Sequence, residues 1–361
     1  MLPVLEIAPG AASTTIAWVG TATLLLAGLI AIVQDDIKKV LAYSTISQLG
    51  FMFVAIGVAA PTAAVFHLVT HAFFKALLFL GAGSVMHALG GRTDITRMGE
   101  LFARIPWTAV TFTVGTFAII GFPFTAGFFS KDQLLEAAYV GHHDAIWILG
   151  LVGAALTGFY MVRMWSLVFL GPSRADEDLH PHESPPSMVF PLVVLAVASL
   201  AGGFILNATA ASGWLTQWLE PIVGHHEVAH RSLSAASLSA IATAAGLLGA
   251  LAALVAYGFA RFDWRRRRES PSPLWQAARN RFYVDHVYEF LFTGLGKVGA
   301  TALAYVVDAR YVDGAVVGAG ELTQRSAGLV RRLQNGFART YALSILVGGL
   351  ALAAYLVGRN W

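Results

Sequence analysis

The 361-residue chain contains no cysteine, and charged side chains make up only 12 % of it. Without thiols it cannot hold a disulfide, an iron–sulfur cluster or a thiolate metal site. Charge is about half as abundant as in an average soluble domain. The opening residues MLPVLEIAPGAA lack a basic segment ahead of a small-residue cleavage site, so no signal peptide is expected. Apolar residues take up 57 % of the chain, and the mean hydropathy is +0.65. Several apolar runs reach the roughly 20 residues that cross a bilayer. These features predict an all-α, polytopic membrane protein.

Eight spans are expected, at about 14–34, 38–58, 62–87, 106–140, 144–170, 188–207, 235–260 and 340–358. Very short connections at 35–37 and 59–61 make the first three antiparallel neighbours. The basic residues are lopsided. Lys38, Lys39, Arg92, Arg97, Arg104, Arg174, Arg261, Arg265 to Arg268, Arg279 and Arg281 fall on one side. Only Arg231 and Arg359 lie clearly on the other, so the first side is expected to be cytoplasmic and both termini outside. The segment 282–336 fits no span. It mixes Asp285, Glu289, Lys297, Asp308, Arg310, Asp313, Glu321, Arg325, Arg331 and Arg332 with apolar residues at helical spacing. That is the pattern of an amphipathic helix lying in the interface plane, with an ordinary cytoplasmic loop as the alternative.

The most informative stretch is FHLVTHAFFKALLFLGAGSVMHA, in which His67, His71 and Lys75 recur at four-residue steps. Residues four apart share a helix face, so the three form a polar stripe about 12 Å long inside an apolar wall. Ionisable groups within a bilayer mark ion or proton paths. Imidazoles titrate near neutral pH, and a buried amine can give up its proton. A metal site would need further ligands, and an ammonium one turn on would repel a cation. Interhelical hydrogen bonding alone is the alternative to a relay.

The fourth span, TFAIIGFPFTAGFFSKDQLLEAAY, is interrupted by Gly121, Pro123 and Gly127, directly before Ser130, Lys131 and Asp132. Such a break at membrane depth is tolerated where protein or water covers it, and broken helices recur at transporter ion sites. A plain proline kink with Lys131 snorkelling to the interface is the alternative. In DDIKKVLAYSTISQLG, Lys38, Ser44, Thr45, Ser47 and Gln48 suggest a polar face continuing inward from a solvated loop. Arg163 lies within two turns of a span end, where snorkelling and a functional role are both open. The run Arg265 to Arg268 reads as a topology anchor, with contact to anionic lipid a natural addition. His142, His143, His225, His226 and His230 read as solvated loop residues.

DDIKKVLAYSTISQLGFMFVAIG, then FHLVTHAFFKALLFLGAGSVMHA, then GFPFTAGFFSKDQLL closely resemble the subunit L family of proton-pumping NADH:quinone oxidoreductase. These are the antiporter-like membrane subunits of respiratory complex I, equivalent to mitochondrial subunit 5. The resemblance implies a bundle with the second of two inverted five-helix repeats at 1–170 and two further transmembrane helices at 171–281. It also implies an amphipathic lateral helix at 282–336, which braces neighbouring antiporter-like subunits, and an anchoring helix at 337–361. It implies that Lys38, His67, His71 and Lys75 lie on a hydrophilic axis along the mid-plane, with Lys131 on the exit side. The family's first repeat has no counterpart here, as in a split gene, a fragment or a late start. No cofactor or metal is implied in this chain; flavin and iron–sulfur clusters belong to partner subunits. Neighbouring membrane subunits and the lipid bilayer are the implied partners, the bacterial inner membrane is the implied location, and no nucleic acid is expected. The large subunit of a multisubunit sodium/proton antiporter shares these motifs and is the alternative.

Overall fold

The computed structural model describes residues 10–176, 179–206, 213–223, 231–258, 272–334 and 336–359. The loop residues His225, His226 and His230 and the run Arg265 to Arg268 lie outside them. Among the described residues there is no β-strand, only an isolated bridge between Asp36 and Asp94. The chain divides into two compact units, Met1–Phe282 and Tyr283–Trp361.

The first unit is a bundle. Its main helices among the described residues are α1 (Ala11–Val33), α2 (Ile37–Gly57), α3 (Pro61–Ala88), α4 (Pro106–Ile120), α5 (Ala126–Val140), α6 (Asp144–Phe169), α7 (Pro186–Leu206), α8 (Trp214–Val223) and α9 (Ala235–Ala253). Helix α9 continues in wider turns to Gly258. With little hydrophobic drive between helices in lipid, small residues set how closely they approach. A Cβ on Gly20 would lie 2.8 Å from the Val54 nitrogen, and one on Gly50 would lie 2.6 Å from the Leu24 nitrogen. Helices α1 and α2 therefore touch backbone to backbone. Gly158 on α6 and Gly249 on α9 do the same for that pair, each facing a carbonyl of the other helix, while Gly246 on α9 closely approaches the Ile120 carbonyl at the end of α4.

The expected span at 106–140 is two helices. Helix α4 ends at Ile120, and Gly121 takes a left-handed φ of 87° that suits a residue without a side chain. Helix α5 restarts at Ala126, and Gly127 lies so close to the Ala118 carbonyl that a side chain there would overlap it. The two halves thus remain in contact across the break.

The ends of the bundle are tied by side chains. Asp36 caps α2, accepting from the amides of Lys38 (2.8 Å) and Lys39 (3.2 Å), and also accepts from the Thr93 hydroxyl at 2.7 Å. Glu183 caps α4 from far along the chain. Its carboxylate accepts from the Trp107 amide at 2.8 Å and the Thr108 hydroxyl at 2.6 Å. Asp144 and Arg231 form a two-pronged ion pair at 2.5 and 3.0 Å, and Arg231 also donates to the Tyr139 carbonyl at the end of α5.

The second unit holds a helical run, α10 (284–333), and a terminal apolar helix, α11 (Ala338–Arg359). Two stretches of α10, Glu289–Gly294 and Leu303–Val312, are wound with wider π-type turns. At about 1.5 Å per residue α10 is about 75 Å long, more than twice a hydrocarbon core of about 30 Å. Among the described residues, eight helices are long and apolar enough to cross a membrane. They comprise α1, α2, α3, α6, α7, α9 with its continuation, the segment Arg281–Arg332 and α11; the broken pair α4 and α5 is shorter in each half.

Candidate functional site

The site is assembled around α2. Three of its neighbours present polar groups to it in order along its length. Near its start, the Lys75 amine on α3 donates to the Leu41 carbonyl at 3.0 Å. The Ser44 hydroxyl meets the Tyr160 hydroxyl of α6 at 2.9 Å. The Gln48 oxygen faces His67 Nε2 at 3.1 Å, and the Gln48 nitrogen donates to the Thr157 hydroxyl at 3.4 Å. Farthest along, the Lys131 amine sits over the Phe51 ring, 5.3 Å from its centre, and donates to the Ile119 carbonyl at 3.4 Å. From Leu41 to Phe51 the sequence advances ten residues, or about 15 Å along the helix axis. The charged groups thus step along the helices rather than clustering at one level.

His67 joins the two lysine-bearing elements. Its Nδ1 faces the Ser130 hydroxyl at 2.9 Å, and Ser130 directly precedes Lys131. Thr70 donates to Ser130 at 2.8 Å. The His67 and His71 ring centres are 6.0 Å apart. His71 also meets Phe74 edge-on at 5.3 Å, and its Nε2 is buried without a hydrogen-bond partner among the described residues. The line therefore runs Lys75, His71, His67, Ser130, Lys131. All five are buried, none more than 6 % exposed.

Four of the five charged or titratable residues singled out in the sequence come together here: His67, His71, Lys75 and Lys131. Lys38 does not join them. Its side chain is exposed in the first turn of α2, where only its backbone is engaged by the Asp36 cap. Lys131 does not snorkel either, being 3 % exposed and turned back onto the break between α4 and α5. The carbonyl it uses belongs to Ile119, next to the last residue of α4, where α4 leaves its final carbonyls without helical partners. Asp132 beside it is buried, and one of its carboxylate oxygens has no hydrogen-bond partner among the described residues.

Ser44, Ser47 and Gln48 are fully buried, and Thr45 is half-buried. Thr70, Thr157 and Tyr160 escaped the sequence reading. Thr70 shows a signal in retrospect, because it lies three residues after His67 on the same stripe. Thr157 and Tyr160 sit in an otherwise apolar run and give none. Arg163 is not a snorkelling residue. It donates to the Gln34 carbonyl at 2.7 Å and pairs with Asp35 at 3.0 Å, holding the end of α6 to the α1–α2 connection. Among the described residues, no three His, Asp or Glu side chains converge as metal ligands would.

Residues 1–157 match the family described as NADH:quinone oxidoreductase/Mrp antiporter, TM. The chain is similar to NADH-quinone oxidoreductase subunit L of Mycobacterium tuberculosis, with 41 % identity covering 99 % of this chain and 57 % of that protein. It is also similar to NAD(P)H-quinone oxidoreductase chain 5 of a Picosynechococcus species, with 37 % identity covering 96 % of this chain and 56 % of that protein. The chain thus spans a little over half the length of these curated relatives. Among solved structures it resembles a chain of the Mrp complex from Dietzia sp. DQ12-45-1b. The TM-score is 0.51 and the identity 25 %, over 94 % of this chain and 33 % of that one. The chain belongs to the NADH:quinone oxidoreductase/Mrp antiporter family of membrane proteins, as a homologue of subunit L.

Proposed function

We propose that the chain moves protons across a bacterial inner membrane as an antiporter-like subunit of NADH:quinone oxidoreductase. Electron transfer from NADH to quinone in partner subunits supplies the energy, and flavin and iron–sulfur chemistry stay with those partners. The observation that carries this reading is the buried line from Lys75 through His71, His67 and Ser130 to Lys131. The names of the relatives favour a quinone-coupled complex over a sodium/proton antiporter, the second reading, which the likeness to the Mrp complex keeps in view.

With the basic loops cytoplasmic, the start of α2 faces the cytoplasm, so Lys75 lies in the inner half and Lys131 in the outer half. A proton reaching Lys75 passes along the histidines to Lys131 and leaves outward. Magnitudes favour a stepwise relay. Two charges about 15 Å apart interact by about 1 kcal/mol at an effective dielectric constant near 20, whereas charges about 6 Å apart interact by about 3 kcal/mol. Direct repulsion between the two lysines is therefore weak, and the histidines carry the coupling. Lys38 marks the cytoplasmic mouth, one turn before Leu41. The lateral helix α10 clamps neighbouring antiporter-like subunits.

The test compares Lys75→Ala with Lys38→Ala in inverted vesicles carrying the assembled complex. Lys75→Ala should cut the protons taken up per NADH oxidised, and Lys38→Ala should cut them less, because its side chain is already in solvent. Wild-type uptake in Lys75→Ala would remove the line from the proton path.

A further inference from the structure

Helix α6 presents two working faces. Thr157 and Tyr160 turn to α2. Val152, Ala155, Leu156 and Phe159 recur at steps of three, four and seven residues, so they form a different face two turns long. That face lines a cavity of about 530 Å³. The other walls are Ile32 on α1 and Gly249 and Tyr257 on α9 and its continuation. Gly249 lies against the Ala155 carbonyl, so α6 and α9 close the back of the cavity. Ile32 and Tyr257 stand at the helix ends that lead into the basic connections, whereas Val152 lies near the middle of α6. The cavity therefore runs along the helices, from mid-membrane toward the basic side.

Its lining holds no charged residue. The two residues with an apolar body and a polar edge, Tyr257 and Trp275, are both at the basic end, the level at which Tyr and Trp meet lipid headgroups. A short helix, Pro273–Arg279, brings Trp275 there. It packs on α1 and is capped by Ser272, whose hydroxyl accepts from the Trp275 amide at 3.3 Å. Arg279 follows one turn later and is exposed, so a cation stands on the same side of that helix as Trp275. Tyr257 is held in place by the Phe159 ring, edge-on at 6.2 Å, and by the Arg163 guanidinium, 5.5 Å from its ring centre.

These features select the occupant. Helices of partner subunits dock within lipid on small residues that let backbones approach. Here most of the lining is bulky, and Gly249 and Ala155 are already used against each other. A narrow apolar slot along the membrane normal, with aromatic edges and a cation at its mouth, matches a single hydrocarbon chain under a negative head. We infer that the cavity holds one acyl chain of an anionic phospholipid, its tail along α6 between α1 and α9 and its headgroup beside Trp275 and Arg279. This site goes beyond the proton path and stands or falls separately from it.

The experiment uses the affinity-tagged full chain, purified from membranes with its bound subunits and equilibrated with vesicles of equal parts phosphatidylcholine and phosphatidylglycerol. After a detergent wash, mass spectrometry counts the lipids retained per chain, and native gels check that each variant keeps its subunits. Val152→Trp fills the inner end of the slot and should lose one retained phospholipid, chiefly phosphatidylglycerol. Val197→Trp, on the exposed face of α7, should lose none. Arg279→Gln should keep the lipid but lower its preference for phosphatidylglycerol about fivefold, the share one basic residue contributes at a membrane surface. Wild-type lipid in Val152→Trp, or loss of a quinone in place of a phospholipid, would overturn the site. Where Val152→Trp fails to assemble, the surface change Arg279→Gln decides, and an unchanged preference would overturn the anionic headgroup assignment.

Discussion

Replacing Arg163 should destabilise the bundle far more than an interfacial arginine would. Its side chain is only 4 % exposed, and it bonds the Gln34 carbonyl and the Asp35 carboxylate together. Removing one partner of a buried ion pair costs about 3–5 kcal/mol, chiefly because the other charge is left without compensation. Asp35 is 24 % exposed, so water meets part of that need and Arg163→Ala should cost about 3 kcal/mol, near the lower end. Asp35→Asn keeps an acceptor and leaves the Gln34 bond intact, so it should cost about 1–2 kcal/mol. Arg163→Lys should fall between the two, because a single ammonium cannot reproduce the planar fork that reaches both partners. The assay is unfolding in mixed detergent–SDS micelles, followed by far-ultraviolet circular dichroism, with the double mutant closing a cycle. A loss below about 0.5 kcal/mol for Arg163→Ala, the range of ordinary surface changes, would refute the anchor and restore the snorkelling alternative.

Two other outcomes follow from the same account. Reporter fusions after Gly91, Pro172 and Glu269 should report the cytoplasm, and those after Gly141 and His226 the outside; an outside signal at Glu269 would break the orientation drawn from the basic residues. Deleting residues 295–334 should lose assembled complex on native gels rather than chemistry at the quinone site, and normal assembly with normal pumping would sink the clamping role of α10.

The parts of the fold that repeat locally were legible in the sequence. Hydropathy located α1, α2, α3, α6, α7 and α11 to within about three residues, and Gly121 with Pro123 located the break between α4 and α5. The four-residue spacing put His67, His71 and Lys75 on one face of α3. Helix α8 escaped, because its ten residues are too few for a hydropathy window and its Leu215 and Leu219 find their partner Phe66 far back on α3. The same physics hid the rest of the site. Gln48 and Thr157 are 109 residues apart, Ser44 and Tyr160 are 116 apart, and Arg163 and Asp35 are 128 apart. A lone serine or threonine on an apolar helix carries no sign of which distant helix will meet it. Lys38 shows the converse: its motif is prominent, yet the capping geometry that starts α2 turns the side chain to the surface.

The most direct measurement concerns Lys131. A group that passes protons must be able to lose its charge, which a buried lysine can do and an arginine cannot at any cellular pH. The measurement is proton uptake into inverted vesicles alongside NADH oxidation, for Lys131→Arg and Lys131→Ala in the assembled complex. Both should impair pumping, Lys131→Arg despite keeping its positive charge. Wild-type pumping in Lys131→Arg would contradict the account, since it would leave the line from Lys75 through His67 without an exit.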